Sequence, residues 1–410
     1  MSGRAAPAAG RLLEVAGPDL YRRNAFRVTG LPTDAPGRTV RERRQKATAA
    51  LAVGASSELP LPAPATSEEI RAAFDDLGDA QRRIVDELFW LWSTPNATCS
   101  CVSSLHGDHD AAVRAHARAL DAELAGDPGT GVLWADAAQR WTALLRRAAF
   151  WDHVRHRIHA LDDRRLDEST LDALRDTLPR ALVKPVVDLA AAADEPARLA
   201  AQAAQWFDGH SVADDLLAEA SATLAGRIST MTRQAADQLY AGRPHDAAAT
   251  LESAIPALHR LEGLAPHDRH RRTAGARNGA AVLLNNCALA LINGSGPTPT
   301  AEAGRLLDSA HELATEAQTR RTIEANRAAA DDRTPASYGR VAPPGGSLDM
   351  ARNVGEVLKV GIFFASIAWG IHAIFGVVAG VIAAVLVALF MWLAISSTVE
   401  QVRARRGGPR

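Results

Sequence analysis

The chain has 410 residues, a formal net charge of −1 and 23% charged residues, so overall charge does not drive it onto a polyanion. Three cysteines exclude a secreted disulfide framework, and the length suits two or three domains in a reducing cytoplasm. The first twenty residues carry Arg4 and Arg11 without an apolar stretch, so no signal peptide is expected. Arginine far outnumbers lysine and alanine is abundant, the composition of a GC-rich bacterial genome.

From the N-terminus, residues 1–17 read as a disordered arm. The next unit, 18–92, starts with a short helix from Asn24 that ends at Gly30. A Pro-containing turn follows, then an arginine-rich helix from about Thr39 to Leu51. Leu59-Pro-Leu-Pro-Ala-Pro64 is a stiff connector. Thr66-Ser67-Glu68-Glu69 is a capping-box entry to a helix over 70–77. Arg22, Arg23, Arg27, Arg38, Arg41, Arg43, Arg44 and Lys46 crowd this region. Arg41, Arg44 and Lys46 are the residues to meet an acidic partner surface or anionic lipid.

The order of these helices resembles a J domain, the helical-hairpin module of co-chaperones. Phe26, Val28, Gly30 and Leu31 stand where that family has its aromatic-x-x-Leu-Gly-Val opening. Ala73, Phe74, Leu77, Asp79 and Arg82 stand where it has Ala-Tyr-x-x-Leu-x-Asp-x-x-x-Arg. Members that stimulate their heat-shock partner's ATPase carry His-Pro-Asp between the second and third helices. This chain has neither His nor Asp from Leu51 to Ala65. The resemblance therefore implies a degenerate docking or structural module. The alternative is a co-chaperone acting through a non-standard J surface.

Residues 104–226 form a helical region. Asp108 and Asp110 read as acids at the positive end of a helix over 111–124, and Gly126-Asp127-Pro128-Gly129 and Asp162-Asp163 read as stops. Trp134 and Trp141, seven apart, share a helix face. With Phe150, Trp151 and Trp206 they read as core.

Metal chemistry has candidates here: Cys99 and Cys101, His106 and His109 with Asp110, and the series His153, His156 and His159. No His-Glu-x-x-His and no Cys-x-x-Cys pair occurs. Steps of three spread the last three histidines over roughly 120° of a helix, loose for one ion. The sequence reading therefore assigns no metal site, no cofactor and no catalytic residue. It keeps a metal-dependent membrane-associated hydrolase as an alternative. No P-loop or Gly-x-Ser-x-Gly motif is present, and nucleic-acid binding is not expected, since arginine charge lacks stacking aromatics on a recognised module.

Over 229–330, Tyr240-Ala-Gly242 ends one helix and Pro244 opens another, with Ala247, Leu251 and Ala254 at regular spacing. Ala303, Leu307 and Ala310 repeat that spacing after a helix carrying Asn286, and a further helix is expected over 319–330. The spacing is similar to the second helices of tetratricopeptide repeats, which implies a protein-binding surface. Tyr240 and Asn286 are its candidate contact residues. The family's Trp and closing Pro are missing.

Residues 331–352 read as a flexible linker. From Val360 to Val399 no Asp, Glu, Lys or Arg occurs. One helix of that length would run roughly 60 Å, about twice the hydrocarbon thickness of a bilayer. Two spans turning at Phe375-Gly376 fit better, giving a transmembrane hairpin over 355–399 with Trp369 and Trp392 toward the interfaces. Arg352 and Lys359 before it, and the basic tail 400–410, place both flanks in the cytoplasm. One long tilted helix, or a buried soluble hairpin, stays open as another reading. The sequence thus predicts an all-α protein of the bacterial cytoplasmic membrane, a non-enzymatic scaffold or chaperone-like adaptor. Its partners would be other proteins and inner-membrane lipid, and a homo-oligomer is compatible. The layout resembles bacterial, actinobacterial-type membrane proteins that combine a J-like module with tetratricopeptide-like repeats.

Overall fold

A computed structural model describes residues 7–52, 65–95, 99, 101–208, 211–294 and 301–331. Among the described residues there are sixteen α-helices and no strand, as the alanine- and leucine-rich periodicity predicts. The chain divides into two units, Met1–Arg277 and Asn278–Arg410. Among the described residues no helix is long and apolar enough to cross a membrane. The expected hairpin, the basic tail and the linker beyond Asp331 lie outside them.

In the first unit α1 (Pro7–Val15) packs on α9 (Glu168–Ala192) and α5 (Ala80–Leu88), and Ala8, Leu12 and Ala16 are fully buried. The expected disordered arm is thus, from Pro7 onward, part of the core. Its buried stripe is mostly alanine, which adds little apolar area but lets two backbones approach closely.

α2 (Ala25–Thr29) begins at Asn24, whose side chain accepts from the Phe26 amide and donates to the Asp86 carbonyl. It ends at Gly30, in the left-handed region at φ 66°. α3 (Gly37–Ala52) and α4 (Ser67–Gly78) close a small core with it: Phe26, Val28, Leu31, Val40, Ile70, Phe74 and Leu77. Thr66 and Glu69 form the expected capping box. Phe26, Val28, Leu31, Phe74 and Leu77 are among the positions that carry the J-domain resemblance, and any three-helix core would bury them. The connector 53–64 lies outside the described residues.

A larger core runs through α1, α5, α6 (Ser103–Ala125), α7 (Gly131–Leu145), α8 (Ala148–Leu161), α9, α10 (Ala197–Ala203) and α11 (Ser211–Ala220). Trp134, Trp141, Phe150 and Trp206 sit at its centre with Phe89. It ignores the expected boundary between 92 and 104, because Ile84, Val85, Leu88 and Phe89 pack into it rather than into the hairpin core. α6 starts two turns earlier than predicted, so Asp108 and Asp110 lie inside the helix instead of at its N-terminus. Both have other partners: Asp108 pairs with Arg147, and Asp110 accepts the amides of Trp92 and Ser93.

α12 (Ala222–Tyr240) and α13 (Pro244–Leu264) pack as a hairpin. Its turn is a Schellman stop: the Gly242 amide bonds the Leu239 carbonyl, the Arg243 amide bonds the Gln238 carbonyl, and Gly242 sits at φ 74°. Ala247, Leu251 and Ala254 are buried. The Arg260 guanidinium donates to the Ala191 carbonyl, and Leu264 joins the large core, so this hairpin belongs to the first unit.

α14 (Arg271–Gly294) begins in the first unit and continues in the second. Within the second unit α15 (Ala301–Leu313) packs on α16 (Ala317–Asp331), with Ala303, Leu307 and Ala310 buried as the spacing predicts. Asn326 Nδ2 donates to Asn285 Oδ1 at 2.7 Å, which satisfies two buried amides.

Candidate metal centre

The densest chemistry in the first unit gathers where the segment after α5 meets α6 and α8. Asp110, one turn beyond His106 on α6, takes the Trp92 amide on Oδ1 at 2.7 Å and the Ser93 amide on Oδ2 at 3.2 Å. Trp92 also donates its indole N–H to the Glu87 carbonyl at 2.8 Å. Ser93 is thereby held at φ 57°, a left-handed conformation rare outside glycine. Its carbonyl lies 2.9 Å from His106 Nδ1. A carbonyl only accepts, so Nδ1 carries the proton and Nε2 keeps its lone pair.

That lone pair faces Cys99 Sγ at 3.5 Å. From α8, His153 Nδ1 faces both thiols, Cys101 Sγ at 3.2 Å and Cys99 Sγ at 3.6 Å. The donor atoms of Cys99, Cys101, His106 and His153 all lie within 4.8 Å of one another. Both imidazoles are buried, whereas both thiols are half-buried. The rings are held by stacking: Trp92 lies 3.6 Å from His109 at 11° between planes, and 4.0 Å from His153 at 30°. His109 Nε2 donates to the Leu88 carbonyl, while its Nδ1 stands 3.6 Å from Asp110, beyond hydrogen-bond reach.

Burial sets the protonation of this cluster. It pushes the His153 imidazole down to about 3, with His106 and His109 nearby adding to the effect. It pushes the Cys101 thiol up to about 11, helped by neighbouring Cys99. The His153 imidazole and the Cys101 thiol are thus held neutral, and with Cys99 Sγ and His106 Nε2 beside them they form a sulfur and nitrogen donor set suited to a borderline-soft cation.

A cavity of about 20 Å³, room for one water, adjoins the cluster and is walled also by Thr33, Asp34, His156 and Arg157. One helical turn from His153, Arg157 donates to Glu87 at 2.9 and 3.1 Å and to the Thr33 carbonyl at 3.2 Å. Arg83 donates to the same carboxylate at 3.1 Å and to the carbonyls of Thr33 and Ala35. The turn between α2 and α3 is thereby pinned beside the cluster.

The histidine series divides: His153 joins the cluster, His156 lines the cavity, and His159 is exposed, 3.6 Å from Glu168. Arg41 and Lys46 are exposed on α3, and Arg44 is paired with Asp75. Tyr240 is 79% exposed at the end of α12; Asn286 is half-buried and accepts from the Asn285 amide. Trp369, Phe375, Gly376 and Trp392 lie outside the described residues. Sequence reasoning had singled out each of the four converging residues but not their grouping. The spacing of 52 residues between Cys101 and His153 carries no periodic signal. No family model, curated protein or solved structure matches the chain.

Proposed function

We propose that the protein is a non-enzymatic adaptor, tethered to the cytoplasmic membrane by residues 355–399, whose helical hairpins dock other proteins on the cytosolic side. The observation that carries this reading is the uncharged run from Val360 to Val399 appended to an all-helical body. The exposed faces that support docking are Arg41 and Lys46 on the J-like hairpin and Tyr240 on the tetratricopeptide-like one. The thiol and imidazole donors turn toward each other rather than toward an open cleft, which favours a structural over a catalytic use of the cluster. The test is fractionation after lysis without detergent. The intact chain should sediment with membranes and a chain stopped at residue 350 should not. Intact chain in the high-speed supernatant would overturn the reading.

A further inference from the structure

We propose that Cys99, Cys101, His106 and His153 bind one zinc ion as a closed structural centre. The proposal stands independently of the adaptor reading, since it concerns only the fold of the first unit.

The first argument is metric. Zinc binds thiolate sulfur at about 2.3 Å and imidazole nitrogen at about 2.0–2.1 Å, tetrahedrally, so a sulfur and a nitrogen on one ion should stand about 3.5 Å apart. Three of the four such separations are 3.2, 3.5 and 3.6 Å, and the fourth, Cys101 to His106, falls within the 4.8 Å that spans the whole donor set. The second argument concerns how the donors converge. Simple S–H···N hydrogen bonds would pair each thiol with its own nitrogen. Here Cys99 faces both imidazoles, and His153 Nδ1, which has a single lone pair, faces both thiols. Pairing Cys99 with His106 and Cys101 with His153 by hydrogen bonds would give the 3.6 Å approach of Cys99 to His153 no role, whereas a central cation accounts for all three contacts together. The third argument is the support around the ligands. The Ser93 carbonyl fixes the tautomer that leaves His106 Nε2 free to ligate, and the Trp92 stack orients His153.

Charge selects the ion. Binding replaces two S–H protons: Zn²⁺ plus two thiols and two neutral imidazoles gives an uncharged Zn(S)₂(N)₂ unit and two released protons. A neutral unit suits a site in which both imidazoles are buried. Four protein donors complete the zinc shell and leave no position for substrate, unlike the three ligands and open position of catalytic zinc sites. The ion would staple Cys99 and Cys101 to α6 at His106 and α8 at His153.

The test uses the full chain, purified in detergent without chelator. Elemental analysis should find one zinc per chain, and X-ray absorption should show two sulfur and two nitrogen neighbours. Cobalt substitution should give the intense visible bands of a tetrahedral thiolate complex. The Cys101→Ser and His153→Ala variants should lose most of the metal, whereas His156→Ala and Cys287→Ser should keep it. A metal-free chain that also fails to take up cobalt would overturn the proposal, as would an oxygen-rich shell. Because absorption is read on the unmutated protein, misfolding of a variant cannot mask the answer. Metal content is measured whether or not the chain sediments with membranes.

Discussion

Replacing Glu87 by glutamine probes the contact that fastens the α2–α3 turn to the rest of the first unit. The carboxylate is 3% exposed and receives Arg83 and Arg157, whose side chains are 6% and 13% exposed. Those guanidinium groups in turn hold the carbonyls of Thr33 and Ala35. Glu87→Gln keeps the volume but removes the carboxylate that, among the described residues, bonds both cations, leaving two largely covered charges to share a neutral amide. Breaking one buried pair costs about 3–5 kcal/mol. Asp34 stands near enough to Arg157 to offset part of that, which favours the lower end, about 3 kcal/mol or roughly 150-fold in the folding equilibrium. Urea titration of the full chain, followed by tryptophan fluorescence, measures the loss, with Glu68→Gln on an exposed helix end as the control. Hydrogen exchange should accelerate most at residues 31–36. A loss below about 1 kcal/mol, or exchange unchanged in that turn, would refute the idea that these charges fasten it.

Two further outcomes follow from single residues. Burial holds the His116 imidazole down to about 3, against an ordinary value of 6.5, so the fold keeps the ring neutral while the unfolded chain binds a proton. Its contribution is complete above pH 6.5 and drains as the pH falls from 6.5 toward 3. By pH 5 the loss is about 2 kcal/mol, and His116→Phe should flatten the pH dependence of the urea midpoint by that amount; an unchanged slope would dismiss the assignment. Gly242→Ala should weaken the α12–α13 hairpin by about 1 kcal/mol: φ 74° strains any L side chain, although nothing lies within 4 Å of the added methyl. Hydrogen exchange at the ends of these two helices, about fivefold faster, is the readout, and unaltered rates would show that the turn tolerates a side chain.

Much of the helical framework was legible because its signals are local. Asn24 and Gly30 bracket α2, Thr66 and Glu69 cap α4, Gly126 stops α6, and Gly242 with Pro244 joins α12 to α13. Each needs only residues within one or two turns of itself. The first turns of α6 were missed for the complementary reason. An acid within two turns of a helix start reads as dipole compensation, but Asp110 instead accepts two amides from a segment eighteen residues away. α1 was missed because Ala8 and Ala16, as small residues, carry a weak hydrophobic signal even when wholly buried.

The four donors were illegible as a set because a site assembled by tertiary contact leaves no spacing rule in the chain. Three-residue steps spread His153, His156 and His159 loosely around α8, which gives His153 to the cluster, His156 to the cavity wall and His159 to solvent. What brings His153 to the thiols is Trp92, which stacks on it and on His109 while Asp110 anchors its amide. The same segment meets the α2–α3 turn through Thr33, whose hydroxyl donates to the Leu91 carbonyl at 3.3 Å. The candidate centre and the attachment of the α2–α4 hairpin therefore share a support. Arg157 and His153, four apart on α8, face the two sides of that support. A change at either should register at the other as altered exchange protection around Trp92.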